Sequence, residues 1–188
     1  MEKKLKNLKG NKQGLKKVNI IVGRFQPPTL GHIKVINELY LQNNYPVIVF
    51  IVRGKLYKPE KNPFQYELVD EMFDALINEY DFIESLKIIP SASIESIFNE
   101  LRPKYEPVLW GLGTDRLKDY NRQVISYRDE LNCLDEFSTF EISRDEDDIS
   151  STKVRTFLIE NDEKSFKKMM PKSIQKFYIL LKTRLKEV

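Results

Sequence analysis

A doubly wound α/β fold, with a five-stranded parallel sheet and additional helices at the C-terminal end, is what this sequence predicts. Three observations carry that prediction. Short apolar runs without strict alternation, VNIIVG and PVIVFIV above all, suit strands covered on both faces. Segments with apolar residues three and four apart alternate with those runs. The connections are long enough for the helical crossovers that parallel neighbours require.

The first strand begins at Val18, a β-branched run closed by Gly23. Leu30 to Asn43 then reads as a helix, because Ile33, Ile36, Leu39 and Tyr40 recur at helical spacing. PVIVFIV (46–52) is the second strand and RGKLYKPEK a polar loop. Asn62, Pro63 and Gln65 have N-cap, first-turn and third-position character for a helix running to about Tyr80. A short third strand follows at Leu86 to Ile89, then a helix at Ser93 to Leu101 and a fourth strand at PVLWG (107–111). Leu117, Tyr120, Val124, Tyr127 and Leu131 mark the next helix, and Phe137 to Ile142 supplies the fifth strand. Beyond it come a helix at Ser151 to Asn161, a short segment at Phe166 to Met170 and a last helix from near Pro171. Ile174, Phe177, Tyr178, Leu181 and Leu185 give that helix one apolar face, for the sheet or for a second subunit, so a homo-oligomer is possible.

Composition limits the function classes. With 188 residues, 41% hydrophobic and 31% charged, the chain suits one folded domain. Its longest apolar stretches fall far short of the roughly 20 residues that span a bilayer, so no membrane association is expected. The start lacks the apolar core of a secretory leader, which leads to an expected cytoplasmic location. One cysteine, Cys133, and one histidine exclude an intrachain disulfide framework and a Cys/His zinc cluster, and no protein metal site is expected. Residues 1–17 carry seven lysines against one acid, a net +6 that exceeds the +3 of the whole chain. This divides the sequence into a basic, flexible tail (1–17) and a domain (18–188), with nucleic-acid contact expected only through the tail.

Three segments carry chemistry. GRFQPPTLGHIKVI leaves the first strand and enters the first helix. Gly23 permits a sharp turn, Arg24 supplies a cation, and Thr29 and His32 stand three apart at a helix start, on one face beside unpaired N–H groups. In ISSTKVR, Ser150 or Ser151 can cap a helix whose first turn holds Thr152, Lys153 and Arg155. Cations there oppose the helix dipole, a conflict an anion resolves, so hydroxyls, N–H groups and two positive side chains suit a polyphosphate. WGLGTDR, at the end of the fourth strand, offers Trp110 as core or as a stacking surface, Gly111 and Gly113 for a tight loop, and Asp115 as a helix cap or a ribose or ring contact. In a doubly wound sheet all three meet at the carboxyl edge.

GRFQPPTLGH and ISSTKVR together resemble the two signatures of the nucleotidylyltransferase superfamily, (H/T)xGH and ISSTxxR. The resemblance covers Val18 to about Pro171 and implies a Rossmann-like domain. Thr29 in place of the first histidine is similar to some nicotinamide mononucleotide (NMN) adenylyltransferases, and GRFQP and NPFQYE to their archaeal branch, although Val69 stands where that branch has an arginine. GTDRLKDY and the helical ending are similar to phage-encoded cytidylyltransferase-like proteins. The resemblance implies an enzyme that moves a nucleoside monophosphate from ATP to a phosphorylated acceptor, NMN first, with release of pyrophosphate. It assigns transfer to His32, Thr29 and Arg155, and nucleotide binding to Gly23, Arg24, Phe25, Gly31, Ser150, Ser151, Thr152 and Lys153. Trp110, Gly113 and Asp115 fall on the acceptor side, and magnesium is expected on the phosphates. The same motifs admit a cytidylyltransferase, a pantetheine-phosphate adenylyltransferase-like enzyme, or a nucleotide-binding module without catalysis whose tail engages nucleic acid.

Overall fold

The computed structural model describes residues 14–53, 61–102, 104–131, 136–142 and 150–187. Strands β1 (Lys16–Gly23), β2 (Val47–Val52), β3 (Ile83–Ile89), β4 (Tyr105–Gly113) and β5 (Ser138–Ile142) form one sheet in the order β3-β2-β1-β4-β5. Every neighbouring pair is parallel. Helices α1 (Leu30–Leu41), α2 (Tyr66–Glu79), α3 (Ile94–Leu101) and α4 (Thr114–Leu131) lie between successive strands. After β5 come α5 (Ser151–Glu160), α6 (Glu163–Met169), a 3-10 helix (Lys172–Phe177) and α7 (Tyr178–Lys186).

Alternation along the strands divides the core into two layers. Ile21, Val47, Val49 and Ile51 face one side, where they meet α1, α2, α5 and the C-terminal helices. Val18, Ile20, Ile48, Phe50, Trp110 and Leu112 face the other, under α3 and Val124 of α4. The sheet is therefore doubly wound, as the apolar runs predict. The chain winds outward from β1 to β3, then returns to place β4 on the other flank of β1. The crevice outside the carboxyl ends of β1 and β4 is where such sheets bind ligands.

Several boundaries differ from the sequence reading, and three of them have a local reason. β1 starts at Lys16, because Lys16 and Lys17 pair with Tyr105 and Glu106 and their ammonium groups bond to Glu84 and Glu136. The two residues thus belong to the domain, and the expected tail's residues 1–13 lie outside the described residues. Helix α2 starts at Tyr66 rather than near Asn62, because the main chain of Phe64 is engaged by the side chain of Gln26. The last helix is divided: Glu79 accepts from the N–H groups of Lys172 (3.2 Å) and Ser173 (2.8 Å), which holds a 3-10 turn before α7. The apolar face of that segment, Ile174, Phe177, Tyr178 and Leu181, is buried in the chain's own core. Among the described residues no helix is long and apolar enough to cross a membrane.

Two interior details set the position of α1. Gly111 leaves room for it, since a Cβ there would lie 2.9 Å from Leu39 and 2.6 Å from Ile142. Asn19, fully buried in β1, donates to the carbonyls of Leu39 and Tyr45 and exchanges hydrogen bonds with the Asn43 amide. Carbonyls at the end of α1 are thereby satisfied from within the sheet.

Candidate active site

The loop from β1 to α1 is built around a buried ring. Phe25 adopts a positive φ of 51°, and its side chain folds back beneath the sheet edge, 2% exposed. Only glycine permits this at position 23, because a Cβ would approach the Phe25 ring to 2.6 Å. The ring supports His32, centroid to centroid 4.9 Å, and meets Phe73 edge-on at 5.4 Å. Phe25 therefore acts on the imidazole from below and presents no surface to a nucleotide, a correction to its expected binding role. Arg24, one residue earlier, is exposed at the mouth of the crevice and has no acidic partner among the described residues.

Thr29 and His32 form a reciprocal cap at the start of α1. The Thr29 hydroxyl oxygen accepts the His32 N–H, while the imidazole Nδ1 accepts the Thr29 N–H at 3.0 Å. A nitrogen that accepts from an N–H carries no proton, so the Thr29 hydroxyl, 2.8 Å away, must donate to it as well. The proton of the neutral ring is then on Nε2. Thr29 is fully buried, so it cannot touch substrate; it positions His32, whereas the sequence placed it beside that residue in transfer. Gly31 sits in the same first turn.

The second motif comes to this loop directly. Ser150 caps α5, its hydroxyl accepting from the Lys153 N–H. The Ser151 hydroxyl donates to the Pro27 carbonyl at 2.9 Å, and Arg155 Nη1 donates to the Gln26 carbonyl at 2.7 Å. Arg155 Nη2 donates to the Thr152 hydroxyl at 3.2 Å. Residues separated by more than a hundred positions thus share one hydrogen-bonded unit. Burial, and then the nearby charge of Arg24, pull the Arg155 guanidinium below its ordinary pKa. With its single proton given to Pro27, the Ser151 hydroxyl acts as a strut, and phosphate contact from that residue falls to its N–H. The exposed side chains of Thr152 and Lys153 stand on the same first turn. Two guanidinium groups, a lysine and two helix N-termini at one edge can hold an anion with several negative charges.

The β4 segment divides differently from the sequence reading. Trp110 is fully buried, its ring edge-on to Tyr120 at 4.7 Å, on the sheet face covered by α3 and α4. Strand alternation turns it away from the crevice, so it cannot stack on an acceptor ring. Its Nε1 has no hydrogen-bond acceptor among the described residues. Gly113 does end β4 at the carboxyl edge beside β1. Helix α4 begins at Thr114, which places Asp115 in its first turn.

Sequence reasoning missed Gln26, Phe64 and Asn19. Gln26 is 1% exposed; its Nε2 donates to the Phe64 carbonyl at 3.1 Å and its Oε1 accepts the Phe64 N–H at 2.9 Å. Asn19 had a signal, a carboxamide inside an apolar strand, and buried amides must find partners. Gln26 had only its place between the positive-φ residue and two prolines.

Known proteins share this architecture. A "Probable nicotinate-nucleotide adenylyltransferase" of Acholeplasma laidlawii is 21% identical over 162 residues, 76% of this chain and 86% of that one. The nicotinic acid mononucleotide adenylyltransferase of Plasmodium falciparum, solved in complex with NaAD, superposes with a TM-score of 0.58 at 23% identity, over 88% of this chain and 95% of that one. Thermotoga maritima TmcAL, bound with alpha-thio ATP, superposes at 0.52 and 7% identity, over 88% of this chain and 55% of that one. These likenesses establish the fold. Residues 20–157, which run from β1 through both motifs to Phe157 of α5, match the cytidylyltransferase-like family, and the chain belongs to that family of nucleotidyltransferases.

Proposed function

We propose that the chain transfers the adenylyl group of ATP to the phosphate of a pyridine mononucleotide, NMN or its nicotinate counterpart, to give a dinucleotide of the NAD type and pyrophosphate. The observation that carries this reading is the bonding of Arg155 and Ser151 to the carbonyls of Gln26 and Pro27, which joins both motifs in one cationic cradle. The relatives named above, an adenylyltransferase with NaAD and a protein with an ATP analogue among them, support ATP as donor and a pyridine mononucleotide as acceptor.

In the reaction an ionised oxygen of the acceptor phosphate attacks the α-phosphorus of ATP. The bond from that phosphorus to the bridging oxygen breaks, and its electron pair leaves with pyrophosphate. The attacking oxygen is already ionised at neutral pH, so no general base is needed, and catalysis consists of alignment and stabilisation of charge. His32 Nε2–H donates to the α-phosphate as negative charge moves across it. Arg155, with Thr152, Lys153 and the first N–H groups of α5, takes the β- and γ-phosphates, and Arg24 closes the mouth. The described donors of the cradle are cations, hydroxyls and N–H groups, which suit phosphate oxygens; magnesium would ride on those oxygens. Gly113 and Asp115 border the acceptor side.

Pyrophosphate release tests the reading, with ATP or CTP offered against NMN, nicotinate mononucleotide, phosphopantetheine, FMN and phosphocholine. We expect turnover with ATP and a pyridine mononucleotide, and a fall of roughly 100- to 1000-fold in His32→Ala, the cost of one preorganised donor at developing charge. No turnover with either pyridine mononucleotide would overturn it. Arg155→Ala should weaken ATP binding in titration calorimetry, and unchanged affinity would remove that residue from the cradle.

A further inference from the structure

We propose that Gln26 is a positioning residue of the phosphate cradle: its side-chain amide, locked to the main chain of Phe64, fixes the carbonyl that holds Arg155. This rests on the reading of the crevice as a triphosphate site and adds a residue that never touches the nucleotide. Three bonds carry it. Oε1 and Nε2 of Gln26 pair with the N–H (2.9 Å) and C=O (3.1 Å) of Phe64, as a neighbouring peptide group would in a sheet. The carbonyl of the same residue accepts from Arg155 Nη1 at 2.7 Å. Both Gln26 and Phe64 are 1% exposed, so water cannot replace either partner.

The arrangement makes the place of Arg155 depend on a segment far from both motifs. Arg155 has five N–H donors; two serve Gln26 and Thr152, which leaves three for an anion. With the carbonyl free to turn, the guanidinium loses its fixed end and its fork geometry toward phosphate. Phe64 lies just before α2, so the turn over residues 62–65, through Gln26, sets the back wall of the cradle. Methionine at 26 would keep the volume and leave the Phe64 N–H and C=O buried without partners. Glutamate at 26 would keep the acceptor for the N–H but oppose the carbonyl while ionised. Protonated, that glutamate regains an O–H donor and mimics glutamine.

The test uses the full chain with MgATP in titration calorimetry. Gln26→Met is expected to weaken ATP binding about tenfold, the usual effect of losing one well-placed charged hydrogen bond. Arg155→Ala should cost at least as much, and the double variant no more than Arg155→Ala alone, because the first residue acts through the second. Gln26→Glu should be weakened at pH 7.5 and recover toward wild type, measured at the same pH, at pH 5.5, while Gln26→Met does not recover. A role in packing alone predicts additive losses and no such recovery, and either result would overturn the proposal. Arginine Nε–H NMR on the nucleotide-free protein separates the two levels. If wild type does not bind ATP, the functional reading fails, while loss of a slowly exchanging Arg155 signal in Gln26→Met still supports the positioning. An Arg155 signal unchanged in that variant refutes it.

Discussion

Replacing Thr29 with valine asks whether an oxygen, rather than a shape, sets the protonation pattern of the imidazole. In the native cap, Nδ1 receives the Thr29 N–H at 3.0 Å and the Thr29 hydroxyl at 2.8 Å. Each such donation is worth about 1 kcal/mol net, so the pair favours the Nε2–H tautomer by about 2 kcal/mol, roughly 30-fold. Valine preserves the buried volume and the N–H but removes the hydroxyl. Half of the preference goes, and the roughly fivefold that remains lowers the Nε2–H share of the ring from about 97% to about 84%. That costs turnover only about 1.2-fold, so the tautomer shift itself is the readout. Loss of the cap should also cost about 1 kcal/mol of stability. For a chain of this length that is a drop of about 2 to 4 °C in Tm. Thr29→Ser keeps the oxygen and should keep the native nitrogen-15 imidazole spectrum. The assay is nitrogen-15 imidazole NMR on untagged protein, beside steady-state pyrophosphate release. One histidine in the sequence makes the spectrum unambiguous. A native imidazole protonated on Nδ1 and bare on Nε2 would refute the reasoning, as would Thr29→Val with an unchanged nitrogen-15 imidazole spectrum.

Two further substitutions test the frame around the site. Gly23→Ala puts a methyl group 2.6 Å from the Phe25 ring, which His32 and Phe73 confine, so we expect about 1 to 3 kcal/mol of destabilisation by chemical denaturation and a loss of turnover as the ring under His32 shifts. Glu79 is pushed up by burial, but hydrogen bonds from Ser173, Tyr80 and Lys172 outweigh this and lower its pKa below 4.5, while Tyr80 beside it is pushed up to about 12. A lowered folded pKa contributes stability above the unfolded value that is lost as pH falls through the folded one, so wild type should exceed Glu79→Gln in Tm at pH 7 and the gap should close as pH falls below the ordinary glutamate range. A gap that stays constant across that range would show the carboxylate to be irrelevant to the C-terminal segment.

The fold was legible because its signals are periodic. VNIIVG and PVIVFIV became β1 and β2, central strands with helices on both faces, and the spacing of Ile33, Ile36 and Leu39 became the buried face of α1. Boundaries failed where a distant residue intervened: Gln26 holds Phe64 out of α2, and Glu79 holds the 3-10 turn before α7. In the site, residue types revealed chemistry better than they revealed orientation. Arg155 drew attention as a cation at a helix start, and its guanidinium bonds to the Gln26 carbonyl of the first loop. Trp110 was offered to the acceptor, but alternation along β4 turns it into the α3 and α4 layer. Thr29 and Phe25 belong to recognisable motifs, yet both are buried and work through His32. No periodicity in a single sequence reports that a carboxamide at 26 will meet a peptide group at 64.

On the proposed reading of the crevice as a triphosphate site, the choice of partners for Arg155 follows from the work asked of it. A carboxylate would hold a guanidinium more firmly than a carbonyl, but it would also cancel the charge that a triphosphate needs to find there. The partners present are the Gln26 carbonyl and the Thr152 hydroxyl, both neutral. They fix direction and leave the charge intact, next to Arg24, whose repulsion opposes the empty state. The free protein is thereby less stable than a salt-bridged equivalent would be, and binding an anion relieves the repulsion. Neutral anchors hold such a group only if they are themselves immobile. The carbonyl of residue 26 is immobile because a buried amide on the same residue is bonded twice to Phe64, so the electrostatics of the cradle depend on a contact that carries no charge at all.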